Sequence, residues 1–249
     1  MSETDEATTA ALVGATGGAG TTRLAIELSA ALAVEGHEVA VLDAAFATQG
    51  LSDYLDGRLA PDATALVTDD ADAPLTDGLV DLSLDANAGR VACCPAYAPF
   101  ERLARAKSPD AARAFEARIE EAADAFDYVL VDTPPVAANQ SVAAATACER
   151  RAVVAPATGR GRDAVQRTTG RLADLDADVD AVVTTRGELE VADASIPETE
   201  AAVSAAPTCL DDGGVAAATS EVAAVLFGAE LSLGGNAGFL DSVGEFVSR

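Results

Sequence analysis

The chain has 249 residues and a formal net charge of -25, from 41 Asp and Glu against 16 Lys and Arg, so it is strongly acidic and long enough for one substantial domain. Its 49% hydrophobic content comes mostly from Ala and Val, with 4% aromatics, and this excludes a disordered chain. One histidine and no Gly-x-Ser-x-Gly exclude the usual Ser/His and Cys/His hydrolase arrangements.

Taken in order, residues 1–9 ("MSETDEATT") form a polar tail. "AALVGA" (10–15) is predicted as a buried strand that feeds a glycine loop. A helix follows from Thr22, with Leu24, Leu28, Ala31 and Leu32 on one face and a stop at Gly36. "EVAVLD" (38–43) is a second strand ending on an acid, and 51–88 reads as short helical pieces among many Asp. "RVACCP" (90–95) is a third strand. Two helical stretches follow, broken at "SPD" (108–110), the second running to about Phe126. "YVLVD" (128–132), "RAVVAP" (151–156) and "DAVVTT" (180–185) complete the strands, with helices at 139–149 and 161–174.

Strands alternating with helices at this spacing predict an α/β fold with a mostly parallel sheet covered on both faces. Ligands in such sheets bind at the carboxyl ends of strands. The glycine loop, Asp43 and Asp132 all fall there.

The four cysteines fit neither a disulfide framework nor a zinc spacing and read as buried small hydrophobes. His37 falls in a helix-to-strand turn and reads as solvated. Lys107 is the single lysine. An acidic, Lys-poor, Ala-rich surface points to an extreme halophile, whose cytosol holds multi-molar salt. No signal-like opening and no long apolar run are present, so the expectation is a cytoplasmic protein.

The decisive stretch is "GATGGAGTTRLAIE" (14–27), a glycine loop without a lysine. Phosphate-cradling loops use glycines to bring backbone N–H groups close, a Lys for the terminal phosphates and a Ser/Thr for Mg²⁺. "TGGAGTTR" (16–23), "GHEVAVLDAAFATQGLSDYL" (36–55), "FDYVLVDTPP" (126–135) and "ASIPETEAAVSAAP" (194–207), in that order, resemble the MinD/ParA group of deviant-Walker P-loop ATPases. The resemblance covers residues 10–228 and implies a three-layer P-loop NTPase fold, ATP and Mg²⁺ as cofactors, a homodimer and a protein partner.

Carried onto this chain, the resemblance implies a nucleotide site of Gly17, Gly18, Ala19, Gly20, Thr21, Thr22 and Arg23, with Thr185 and Arg186 near the base. It implies a metal set of Thr22, Asp43 and Asp132. Arg23 follows the Mg²⁺-ligand position and is expected to point away from the phosphates. The departures are equally specific. Thr16 and Thr21 stand where the family has its signature and P-loop lysines, Ala45 where it has the second acid of D-x-D, and Thr185 where its Asn reads adenine. Phosphoryl transfer rests on positioning and charge neutralisation, and each lost electrostatic stabiliser costs on the order of 10²–10³ in rate. The expectation is a degenerate site in a partner-binding or regulatory protein of spatial positioning, with an active ATPase as the alternative. The bare alternative for the loop is a tight turn that keeps an anion site at a helix N-terminus; for Asp132 it is a strand-end cap.

Two further features stand outside that site. Residues 150–171 are rich in arginine with Asp163 as their one acid. Arg160, Arg162, Arg167 and Arg171 are therefore candidates to meet nucleic acid or an acidic partner, the alternative being pairing with the chain's own carboxylates. Steep salt dependence weighs against nucleic acid. Residues 229–238 read as a Gly-rich linker. Beyond it, Phe239, Leu240, Val243, Phe246 and Val247 share one face of a short helix at 239–249, for a partner groove, the chain's own domain or peripheral membrane contact.

Overall fold

The structure is a computed structural model, and it describes residues 8–84 and 89–233. An eight-stranded sheet runs β3-β4-β2-β5-β1-β6-β7-β8. Its strands are β1 (Thr8–Gly14), β2 (Glu38–Asp43), β3 (Val80–Asp81), β4 (Arg90–Cys94), β5 (Tyr128–Thr133), β6 (Arg150–Pro156), β7 (Ala181–Thr185) and β8 (Ala194–Ile196). Every pairing is parallel except the short β3–β4 edge. Six α-helices are described: α1 (Thr21–Val34), α2 (Phe100–Ala106), α3 (Pro109–Ala123), α4 (Asn139–Ala147), α5 (Gly159–Ala173) and α6 (Gly213–Phe227).

Strand alternation divides the core between two layers. Ala11, Val13, Leu42, Val131 and Val153 face Phe115 and Ile119 of α3, Ala144 of α4 and Leu172 of α5. Ala10, Leu12, Val41, Leu130 and Val154 face Leu24, Ile26 and Leu28 of α1 and Val222 and Leu226 of α6. The sheet is therefore apolar on both sides, as a parallel sheet under crossover helices must be.

Local chemistry sets the element ends. α3 begins where Ser108 Oγ accepts from the Ala111 amide, with Pro109 in the first turn. α1 stops ahead of Gly36, whose φ of 102° lies in the left-handed region that favours glycine. β2 coincides with the segment read from sequence; α3 ends at Ala123, short of Phe126.

Two expectations need correction. The tail does not extend to residue 9, because Thr9 lies buried in β1 with its hydroxyl accepting from the Glu149 amide at 2.9 Å. Residues 229–233 do not form a free linker: Leu231 and Leu233 pack near Ala30 and Ala31, and the Ser232 amide donates to Glu35 at 2.8 Å. All four cysteines are buried and free, in keeping with their reading as small hydrophobes. The rest of the linker and the proposed helix at 239–249, with Phe239, Leu240, Val243, Phe246 and Val247, lie outside the described residues. Among those described, no helix is long and apolar enough to cross a membrane.

Candidate phosphate and cation site

The loop after β1 turns through Gly18 and Gly20 at φ 70° and 94°. β7 grips it from the side. Thr185 Oγ1 donates to the Ala19 carbonyl at 2.7 Å, and Arg186 Nη2 donates to the Gly18 carbonyl at 3.0 Å. A Cβ added at Gly20 would sit in contact with the Thr185 methyl at 3.4 Å, and it is the positive φ that opposes a side chain there. Beyond the turn at Gly17 and Gly18, no side chain among the described residues accepts from the amides of Gly17 to Thr22. These N–H groups, converging at the start of α1, form a concavity suited to an anion.

Below the loop, β2 and β5 run side by side with Asp43 directly opposite Asp132. Both carboxyls are fully buried. Asp43 accepts from the Ala45 amide at 2.7 Å and the Ala96 amide at 3.2 Å. Asp132 Oδ2 accepts from Thr22 Oγ1 at 2.5 Å, whereas its Oδ1 has no partner. Burial, reinforced by Asp132, pushes the Asp43 carboxyl up to about 8. Burial also raises Asp132, against the pull of the Thr22 and Thr21 hydroxyls. Two adjacent buried carboxyls thus compete for charge.

An orphaned buried carboxylate oxygen beside a hydroxyl and a second carboxylate is a donor set for a hard cation such as Mg²⁺. The metal set read from sequence is therefore brought together. Thr22, Asp43 and Asp132 fit the ion as an all-oxygen half-shell. Among the described residues, no group of three or more Asp, Glu, His or Cys side chains could hold a metal unaided, so the remaining ligands would come from water or a bound phosphate.

A cleft of about 490 Å³ opens at the loop, with Thr16, Thr21, Thr22, Tyr54, Ile196, Val203 and Thr208 among its lining residues. Arg23 lines this cleft but does not face the loop. Its Nε donates to Glu27 at 3.0 Å, Nη1 to the Ala201 carbonyl at 3.1 Å and Nη2 to Thr208 Oγ1 at 3.0 Å. Arg23 therefore belongs to a knot that ties residues 201–208 to α1. Glu27, 1% exposed, completes it by accepting from Thr208 Oγ1 and the Cys209 amide. Sequence reading passed over Glu27, although its i,i+4 spacing from Arg23 was a usable signal. Thr185 and Arg186 also line the cleft, and the Thr185 hydroxyl braces the loop.

The arginines outside the cleft divide in two. Arg150 and Arg151 pair with Asp180. Arg160, Arg162, Arg167 and Arg171 stand exposed on α5 without a carboxylate in ion-pair range among the described residues; Arg171 Nη1 reaches only the Val136 carbonyl, at 3.5 Å. Pairing with the chain's own acids thus holds for the strand and fails for the helix.

No family model and no curated protein matches this sequence. Solved structures do. MinD cell division protein from Aquifex aeolicus matches at a TM-score of 0.70 and 20% identity, over 91% of this chain and 100% of that one. The fold is that of the MinD/ParA P-loop ATPases. The septum site-determining protein MinD from Pyrococcus horikoshii, complexed with Mg-ADP, matches at 0.62 and 19%, over 84% of this chain and 86% of its own. A cobyrinic acid a,c-diamide synthase from Mycobacterium smegmatis, with bound ATP analogue and magnesium, matches at 0.68 and 16%, over 92% and 99%. The MinD/ParA fold is thus shared with a biosynthetic enzyme, and function has to be argued from the site.

Proposed function

We propose that this chain is a MinD/ParA-like protein with a degenerate nucleotide site, acting through a protein partner in spatial positioning rather than by turnover. The observation that carries this reading is a cleft that keeps its amide cradle and oxygen donors but lacks a lysine. Thr16 and Thr21 line it, Ala45 lies buried beside Asp43, and the chain's one lysine, Lys107, stands on the turn after α2 and does not line the cleft. Such a site holds an oxyanion and offers little to neutralise charge developing in phosphoryl transfer.

Its residues have defined tasks in ligand holding. The amides from Gly17 to Thr22 receive phosphate oxygens. Thr22, Asp43 and Asp132 would hold Mg²⁺, which would supply positive charge to offset that of the phosphates. Thr185 keeps the loop in its cradle shape through its bond to the Ala19 carbonyl. The exposed arginines of α5 form the surface for an acidic partner, since a chain of net charge -25 repels nucleic acid as a whole.

The test is titration of a fluorescent ATP analogue with Mg²⁺ in multi-molar KCl, beside T21K, followed by phosphate release. Binding without release supports the proposal; Mg²⁺-dependent release abolished by D132A establishes the active ATPase in its place.

A further inference from the structure

A phosphate on this loop needs a counter-charge, and neither Thr16 nor Thr21 supplies one. Among the described residues lining the cleft, two carry a positive charge: Arg23 and Arg186. Arg23 is already matched. Its N–H groups serve Glu27, Thr208 and the 201–202 carbonyls, and its charge is balanced by the buried Glu27 carboxylate.

Arg186 is in the opposite situation. It follows β7 in the left-handed region at φ 61°, a conformation unfavourable for a non-glycine residue. Its guanidinium makes one hydrogen bond, from Nη2 to the Gly18 carbonyl, and pairs with no carboxylate among the described residues. The other N–H groups of the planar fork remain available, and the side chain is exposed at the lip of the loop. A guanidinium is suited to this task because it presents paired donors to phosphate oxygens and stays charged throughout the accessible pH range.

We propose that Arg186 is the cation of this site, turning from its rest on Gly18 to engage the diphosphate of a nucleotide or pyrophosphate seated on the Gly17–Thr22 amides. This rests on the reading above that the cleft holds a phosphate-bearing ligand. Unpartnered Asp132 Oδ1 supports the same ligand from beneath, as the place where its counter-cation would be held. Arg186 thus takes over, from the end of β7, the charge that the loop itself lacks.

The experiment measures the affinity of the full chain for pyrophosphate and for a fluorescent ADP with Mg²⁺, in wild type, R186Q, R186K, T21K and the double variant T21K/R186Q. Thermal melting without ligand confirms that each is folded. The expected result is a loss of about ten- to hundredfold in R186Q for both probes, the range of a charge-assisted hydrogen bond. R186K should lose less. In the T21K background the R186Q loss should shrink to a few-fold, because the lysine introduced into the loop makes the second cation redundant.

Three results overturn the inference in different ways. Equal binding by wild type and R186Q leaves the phosphate reading standing and removes Arg186 from it. An R186Q loss that persists undiminished in T21K shows a brace for Gly18 and not a charge. Binding by T21K with none by wild type, or by neither, removes the reading that the native cleft holds phosphate, and the role of Arg186 with it.

Discussion

Thr22 donates its hydroxyl to Asp132 across 110 residues of sequence, at 2.5 Å, and so fastens the first turn of α1 to the carboxyl end of β5. The bond holds one oxygen of the buried carboxyl and leaves the other open. Removing the hydroxyl while keeping the shape, in T22V, is expected to cost about 2 kcal/mol, the range for a hydrogen bond to an ionisable group. T22S should lose under half of that. Chemical denaturation of both variants checks the difference.

Asp43 gives stability a pH dependence whose sign is unusual for a carboxyl. Its folded pKa, near 8, lies above the ordinary 3.8, so the folded protein keeps a proton that the unfolded chain has released. This contribution is present at low pH and declines as pH rises from about 4 through about 8. Between pH 6 and pH 8 the decline is expected to be on the order of 2 kcal/mol. D43N should flatten the slope. Melting curves across that window in wild type and D43N decide the matter, and parallel slopes would refute it.

The Arg23–Glu27 knot is a half-buried ion pair that also carries the 201–208 segment. R23A leaves the buried Glu27 carboxyl without its ion-pair partner, with an expected cost of about 3 kcal/mol. Replacing both, as R23M with E27L, should recover only part of that loss, because the Thr208 hydroxyl and the Cys209 amide lose their acceptor. Urea midpoints of the single and double variants measure the recovery.

Gly161 faces a different constraint. A Cβ added there would lie 2.0 Å from the Pro156 carbonyl oxygen, a backbone atom that cannot swing away. G161A should cost about 3 kcal/mol by forcing α5 off the end of β6. Substituting Gly159, whose Cβ would meet nothing within 4 Å, is the matched control.

The arginines of α5 are expected to matter for association and not for folding. R160A/R167A/R171A should leave stability within about 0.5 kcal/mol of wild type. R102A, which unpairs the buried Asp62, should cost about 3 kcal/mol. If the triple variant destabilises the fold as R102A does, the helix is paired within the chain after all.

Much of this architecture could be read from sequence where the signal is local. β2 and β5 are continuous apolar runs ending on acids, and they put Asp43 and Asp132 side by side as their shared strand-end position implied. α5 and the departure of Arg23 from the loop were legible for the same reason. β3 and β8, two and three residues long, carry too few positions for alternation to show. α6 lacks a polar stripe to mark its face, since "VAAATSEVAAVLF" is small and apolar almost all round. The buried state of Glu27 depends on Thr208 and Cys209, more than 180 residues away, which no helical period can announce. The bond from Thr185 to the Ala19 carbonyl spans 166 residues and was illegible for the same reason.

The loop between β4 and α2 hangs from the site. Asp43 holds its Ala96 amide, and Gln49 clasps Ala98 by both carbonyl and amide, at 3.0 and 3.3 Å. Tyr97 stands on that loop and, at 86% exposure, Phe100 opens α2 directly after it. The Asp43 carboxyl thus anchors the segment that carries these two rings, so the buried acid and the exposed aromatics belong to one hydrogen-bonded run of chain.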